Sequence, residues 1–175
     1  KHKDNKNQSI LFFKNVFIFI NKKGYKAFHY KKLKGCISGY FIFESQIIKK
    51  DFDNTVKYKD AQYYEFLKLS TNGNEHLLNV MYCIGYLLHN YKNPSQAKAV
   101  IISDIDSQAT NVAQGRSGKG LIIQALSQML DVVEHNGKNI DLTRDKFVFQ
   151  NIVALITQLF VLQDVQKNFD FESLF

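Results

Sequence analysis

The stretch Gly115-Arg116-Ser117-Gly118-Lys119-Gly120-Leu121 sets the tightest condition on how this chain folds. A glycine-rich turn here delivers a lysine to the start of an apolar helix, expected over residues 121–130. Just upstream, Ala99-Val100-Ile101-Ile102-Ser103 reads as a buried strand. Strand, glycine-rich loop, lysine and helix form the context in which such a string binds phosphate. Glycines let backbone N–H groups close around phosphate oxygens. The helix N-terminus adds a partial positive charge, and Lys119 adds a full one. The bland alternative is a glycine-rich turn carrying a solvated lysine.

Against the general pattern G-x-x-x-x-G-K-[ST] the window departs twice. Ala113 stands at the first glycine, and Gly120 stands at the hydroxyl that usually meets magnesium. A second element supports the phosphate reading. Leu159-Phe160-Val161-Leu162-Gln163-Asp164 is an apolar run ending in a carboxylate, about 45 residues beyond Lys119. Strands that position magnesium and water in phosphoryl-transfer proteins read this way. Taken alone, Asp164 is equally a strand-end aspartate at a turn.

The 175 residues suffice for one domain or two small ones. Charge is divided unevenly. Residues 1–60 hold 14 Lys against 5 acids, a net of +9, and the remainder is close to neutral. A basic half suggests a polyanion partner, or else a lysine-rich solvated surface. The two cysteines, Cys36 and Cys83, have no metal-ligand spacing, and a reducing intracellular setting is the simpler reading. No signal peptide is visible, and the apolar run at residues 10–20 is too short to span a bilayer. The chain opens on Lys rather than Met and closes in mid-pattern, so a piece of a longer protein is expected.

In order, residues 10–13 and 16–20 predict two short strands joined by a tight turn at Lys14-Asn15. A turn at 21–24, a strand at 25–30, a basic loop at 31–34 and a fourth strand at 40–43 follow. This β-rich module, residues 1–60, interleaves aromatics with lysines. That string fits either an aromatic core with lysines outside or a surface that stacks on single-stranded nucleic acid. Residues 61–69 and 75–89 predict helices, the second from Leu77, Leu78, Val80, Met81, Ile84, Leu87 and Leu88 at helical spacing, with Asn74 as its N-cap. They form a helical connector, residues 61–95. His76 and His89 lie too far apart on that helix to share a metal. Residues 96–175 alternate strands and helices, which implies a parallel sheet with crossover helices. The expected class is α/β, α+β over the whole chain, ending in a partial parallel-sheet nucleotide-binding domain.

The strings Ile84-Gly85-Tyr86-Leu87-Leu88-His89-Asn90-Tyr91-Lys92, Ala97-Lys98-Ala99-Val100-Ile101, Gly115 to Leu121, and Asp164-Val165-Gln166-Lys167-Asn168-Phe169-Asp170-Phe171-Glu172-Ser173-Leu174-Phe175 occur in that order. Together they resemble the primase–helicase proteins of phages and mobile elements, which are similar to superfamily 3 helicases, P-loop ATPases of the AAA+ type. The resemblance covers roughly residues 80–175, and the first half is similar, less distinctly, to the region that precedes the ATPase core.

The resemblance implies an ATP-dependent replicative DNA helicase, cytoplasmic in a bacterial host, acting on single-stranded or forked DNA as a homo-hexamer with ATP and Mg2+. It places Gly115, Arg116, Ser117, Gly118, Lys119, Gly120 and Leu121 on the phosphate loop. Lys119 and Asp164 become catalytic, with Asp164 on the metal. Gln163 falls where a second acidic residue usually serves as base for the attacking water. The departures at Gly120 and Gln163 bear on hydrolysis, not on ATP binding. A nucleic-acid or partner-binding module with a degenerate, non-hydrolysing loop is therefore the alternative. The sensor residue and arginine finger implied by the resemblance fall beyond Phe175, and such a finger is worth about 10³–10⁵ in rate. Arg116 lies within the loop and is no candidate for it, so this stretch alone is expected to be inactive.

Overall fold

The computed structural model describes residues 4–35, 37–39, 42–44, 46, 58–93, 95–96, 98–103, 118–138, 140, 157–166 and 169–170. They belong to two compact units, Lys1–Met129 and Leu130–Phe175. The secondary structure is mixed, with an antiparallel sheet in the first unit and a parallel strand pair in the second.

The first unit opens with a three-stranded meander, β1 (Gln8–Phe12), β2 (Phe17–Asn21) and β3 (Gly24–Phe28). The expected Lys14-Asn15 turn sets the first register, pairing Phe12 with Phe17 and Gln8 with Asn21. The second turn is fixed locally. Asn21 Oδ1 accepts the Lys23 N–H at 2.8 Å, a side-chain mimic of a backbone turn, and β2 and β3 pair from Asn21 and Gly24 to Phe17 and Phe28.

That register aligns Phe12, Phe17 and Phe28 across the three strands, because side chains alternate between faces. Ring centroids are 6.3 Å apart for Phe12–Phe17 and 5.5 Å for Phe17–Phe28. Tyr30 closes on Phe17 at 5.9 Å and donates its hydroxyl hydrogen to the Phe13 carbonyl at 2.6 Å. Leu11, Phe12, Phe13, Val16 and Phe17 are buried. For these aromatics the core reading holds. Of the fourth strand expected at 40–43, Tyr40 and Phe41 lie outside the described residues. Phe43 makes one parallel bridge to Phe13, with its N–H on the Phe12 carbonyl at 2.9 Å.

Two helices follow, α1 (Gln62–Leu69) and α2 (Gly73–Leu88). In α1, Tyr63, Phe66 and Leu67 share a face, with Leu67 buried and the Tyr63 and Phe66 rings stacked at 5.9 Å. Ser70 and Thr71 end it by donating their hydroxyl hydrogens to the Phe66 and Leu67 carbonyls. The N-cap of α2 is Asn72, not Asn74, which lies in the first turn. The helix starts earlier because His76 Nδ1 accepts the Asn72 N–H at 3.1 Å, giving the chain a local stop there. Only part of the predicted stripe is covered: Leu77 is buried, whereas Leu78 is half exposed.

Residues 98–103 differ from expectation. The predicted strand at 99–103 is not formed, and Ile101 is two-thirds exposed. A strand needs a neighbour for its N–H and C=O groups, and no ladder partner lies beside it among the described residues. The third helix, α3 (Lys119–Leu126), is shorter than the expected 121–130 and buries Ile122 and Leu126 at i, i+4 spacing.

In the second unit β4 (Val132–Asn136) and β5 (Leu159–Gln163) pair in parallel, Val132 with Leu159 through Asn136 with Gln163. The run at 159–163 is the strand its sequence predicted. β4 falls within residues 132–138, where the sequence predicts only a connection after the helix. The Asp131 carbonyl accepts the Gln158 and Leu159 N–H groups at 3.0 and 3.1 Å and fixes the start of the pair. The sequence also predicts a short strand at 138–142, an apolar helix or strand at 147–156 and the start of a helix at 171–175; of these only Lys138 and Ile140 lie within the described residues. Among the described residues, no helix is long and apolar enough to cross a membrane.

Candidate functional site

Of the glycine-rich string, Gly115, Arg116 and Ser117 lie outside the described residues, and Gly118, Lys119, Gly120 and Leu121 lie within them. Gly118 is the N-cap of α3 with φ +84° and ψ +3°, in the left-handed region. A side chain there is strained by about 1–2 kcal/mol. It also lacks room, because a Cβ on Gly118 would come within 3.0 Å of Phe66 Cε2 and Cζ. The α1 helix is therefore the wall against which this turn is set. A glycine at this position enters the helix with its backbone uncovered, and Lys119 becomes the first helical residue.

Lys119 is half buried, and no acidic residue stands in the first turn of α3. The N-terminal end of the helix dipole there adds a partial positive charge. The Leu121 N–H is already used, bonding the Gly118 carbonyl at 3.0 Å. Gly120 is exposed and open to solvent on the side where a Cβ would project.

Beside α3 in the same unit, a cavity of about 420 Å³ lies between α2 and residues 100–103. Val80, Ile84, Leu87 and Ile122 give it an apolar lining, with His76, Asn79, Cys83 and Ser103 as its polar members. Cys83 is a free, exposed thiol, and Cys36 is outside the described residues.

The second group of predicted residues belongs to the other unit, at the carboxyl ends of β4 and β5. Gln163 is the last residue of β5, and Asp164 turns the chain with φ +52°. In open parallel sheets this end of the strands is where ligands are held. Asp164 Oδ2 lies 3.6 Å from Lys138 Nζ, an ion pair with both side chains largely exposed. Such an exposed pair contributes about 0–1 kcal/mol.

Gln163 donates its side-chain N–H to Glu134 Oε2 on β4. Glu134 was not singled out from the sequence. The signal was absent, because β4 had not been recognised and only strand pairing brings Glu134 and Gln163 together. The edge is held closely by Gly137. Its N–H bonds the Gln163 carbonyl at 2.6 Å, and a Cβ there would come within 3.0 Å of that oxygen and of Val165 Cα. Asn136 Oδ1 accepts the Lys138 N–H at 2.9 Å, and Gln166 donates to the Lys138 carbonyl at 3.3 Å. Among the described residues no group of three or more His, Cys, Asp or Glu side chains is gathered as a metal cage.

The chain is thus a mixed α-and-β protein with two chemically distinct edges, a lysine-bearing helix start and a carboxylate-bearing strand end. Comparison with protein-family models, curated proteins and solved structures finds no match.

Proposed function

We propose that the chain is the ATP-binding part of a replicative DNA helicase of the phage or mobile-element primase–helicase type. In this reading ATP hydrolysis, with Mg2+, drives DNA unwinding by a homo-hexamer that engages single-stranded or forked DNA in the cytoplasm of a bacterial host. One observation carries the reading: a glycine in the left-handed conformation ends the G-x-x-G-K string and makes Lys119 the first residue of a helix whose first turn has no acid. That geometry suits an anionic phosphate.

The residues then divide the work. The N–H groups at the start of α3 and the Lys119 ammonium would hold the β- and γ-phosphates. The cavity beside Val80, Ile84 and Ile122 suits a flat apolar base. Asp164, in the second unit, would hold a magnesium ion, whose chemistry is charge neutralisation. The parallel pairing of β4 and β5 and the position of Asp164 at their carboxyl end support that role. Glu134, bonded to Gln163, supplies a carboxylate beside the residue that lacks one.

The second reading is a nucleic-acid or partner-binding module whose loop no longer hydrolyses. Gly120 and Gln163 favour it, since neither can provide the hydroxyl or the carboxylate usual at its place. Calorimetry of ATP binding by the intact protein, with Lys119→Ala beside it, tests the first reading. ATP affinity should fall at least tenfold in the variant, and equal affinity would remove the nucleotide assignment. ATP turnover with single-stranded DNA then separates the two readings, because a DNA complex without turnover selects the second.

A further inference from the structure

The sequence left the lysines and aromatics of the first 60 residues with two interpretations, and the fold sorts them. Phe12, Phe13, Phe17, Phe28 and Tyr30 are committed to the ring cluster of the meander. Tyr25 is not: it lies on β3 opposite Ile20 with 58% of its surface exposed. Among the described residues 4–46, Tyr25 is the large apolar side chain left in solvent.

Its surroundings are cationic. Residues 5–43 contain 8 lysines and no Asp or Glu. Lys22 and Lys23 form the turn that leads into Tyr25, both exposed, whereas the exposed Lys26 falls on the opposite face of β3 because side chains alternate. Lys31 continues the charge in the short helical turn Tyr30–Lys32 that comes next. The nearest carboxylates in sequence are engaged elsewhere: Asp4 by Ser9, Ile10 and Asn90, and Glu44 by Lys14 at 3.3 Å.

We infer that the β2–β3 hairpin is a docking surface for single-stranded nucleic acid, with a base stacked on Tyr25 and phosphates on Lys22 and Lys23. Uncompensated lysines beside one exposed ring are the elements that sequence-tolerant single-strand binding requires. A bilayer would want several exposed Leu, Phe or Trp side chains, and the hairpin has none. An acidic protein would match the charge but give no reason for the ring. Both arginines of the chain, Arg116 and Arg144, lie elsewhere, so the hairpin lacks the fork that reads base edges in duplex DNA. The inference deepens the DNA partner of the proposed function, and its test needs no nucleotide, so a failure of ATP binding leaves it standing.

The experiment is fluorescence anisotropy of the full chain with labelled oligo(dT), without ATP, from 50 to 200 mM salt. The wild-type affinity should fall with salt at a log–log slope of about −1.4, as expected for two phosphate contacts on a single strand. The double variant Lys22→Glu, Lys23→Glu should lose at least tenfold in affinity and flatten that slope. Tyr25→Ala should lose roughly five- to a hundredfold at every salt concentration with the slope unchanged, while Tyr25→Phe binds like wild type. All three side chains are exposed, so circular dichroism and Tm should stay constant across the series. Equal binding by Tyr25→Ala and wild type would overturn the inference. So would capture by phosphatidylserine vesicles without capture of the oligonucleotide.

Discussion

The Nε2 atom of His89, the C-cap of α2, lies 3.0 Å from the carbonyl oxygen of Asn5 and 3.2 Å from that of Gln8. Both partners can only accept, so Nε2 carries the hydrogen and the two carbonyls share it. Asp4 adds a second tie. It accepts the Ser9 hydroxyl and the Ile10 N–H on its own side, and the Asn90 N–H from beyond α2 at 3.0 Å. The meander is thus fastened to the end of α2 by polar groups more than 80 residues apart in sequence.

Removing that tie takes away one shared donor, while each carbonyl keeps a backbone N–H, Asn5 that of Gln8 and Gln8 that of Asn5. His89→Ala should destabilise the protein by about 0.5–1.5 kcal/mol. Asp4→Ala should act in the same direction. Denaturant unfolding of both variants measures it, and an unchanged midpoint for His89→Ala would show that the bond contributes nothing net.

Gly118 and Gly120 should respond oppositely to the same change. Gly118→Ala forces a side chain into the left-handed region and against the Phe66 ring, costing about 1–3 kcal/mol. Gly120→Ala fills open solvent on a helix and should stabilise by about 0.5–1 kcal/mol. Thermal unfolding of the pair distinguishes this outcome from a general tolerance of the loop. Under the proposed function, Gly120→Ser should also raise Mg2+-dependent ATP turnover in the intact protein.

The carboxyl end of the parallel pair depends on the absence of a side chain at 137. Gly137→Ala should push Val165 away and weaken the bond from Gly137 N–H to the Gln163 carbonyl. The cost should be about 1–3 kcal/mol, as for an overpacked core position. Hydrogen exchange at Gly137 and along β5 reports it locally, and protection equal to wild type would contradict it.

Two tyrosines separate by their hydroxyl partners. Tyr30 donates to Phe13 O, so Tyr30→Phe should cost about 0.5–1.5 kcal/mol near neutral pH. The Tyr63 hydroxyl is buried and has no hydrogen-bond partner among the described residues, so Tyr63→Phe should be neutral or stabilising. Burial raises the pKa of both above the ordinary value of 10.0. The folded state then keeps its proton at pH values where the unfolded chain has released it. Stability from this source is complete below pH 10 and is lost as pH rises through the raised folded pKa. Tyr30→Phe should show a shallower alkaline loss than wild type in denaturant midpoints measured from pH 8 to 11. An identical slope would exclude Tyr30 as a contributor.

Much of the local structure was legible in the residues themselves. Lys14-Asn15 and the segment 21–24 announced the two turns, short apolar runs on either side of the first announced β1 and β2, and an alternating segment announced β3. The helical spacing of Leu77, Val80, Met81 and Ile84 announced α2. The apolar run 159–163 announced β5, with Asp164 at its end. These features depend on turn chemistry and periodicity within a few residues, which sequence carries directly. Where the same reading predicted a strand at 99–103 it failed, because apolar character alone does not supply a pairing neighbour.

Tertiary structure decided what depends on distant partners. It chose a core for Phe12, Phe17 and Phe28 and left Tyr25 in solvent, although the sequence shows the same mixture of rings and lysines for both. It set Gly118 against Phe66, His89 on the carbonyls of Asn5 and Gln8, and Glu134 beside Gln163. Each of these is a contact between segments far apart along the chain, where loop closure and packing outweigh local preference. The string of residues fixes which groups are present, and folding alone fixes which of them meet.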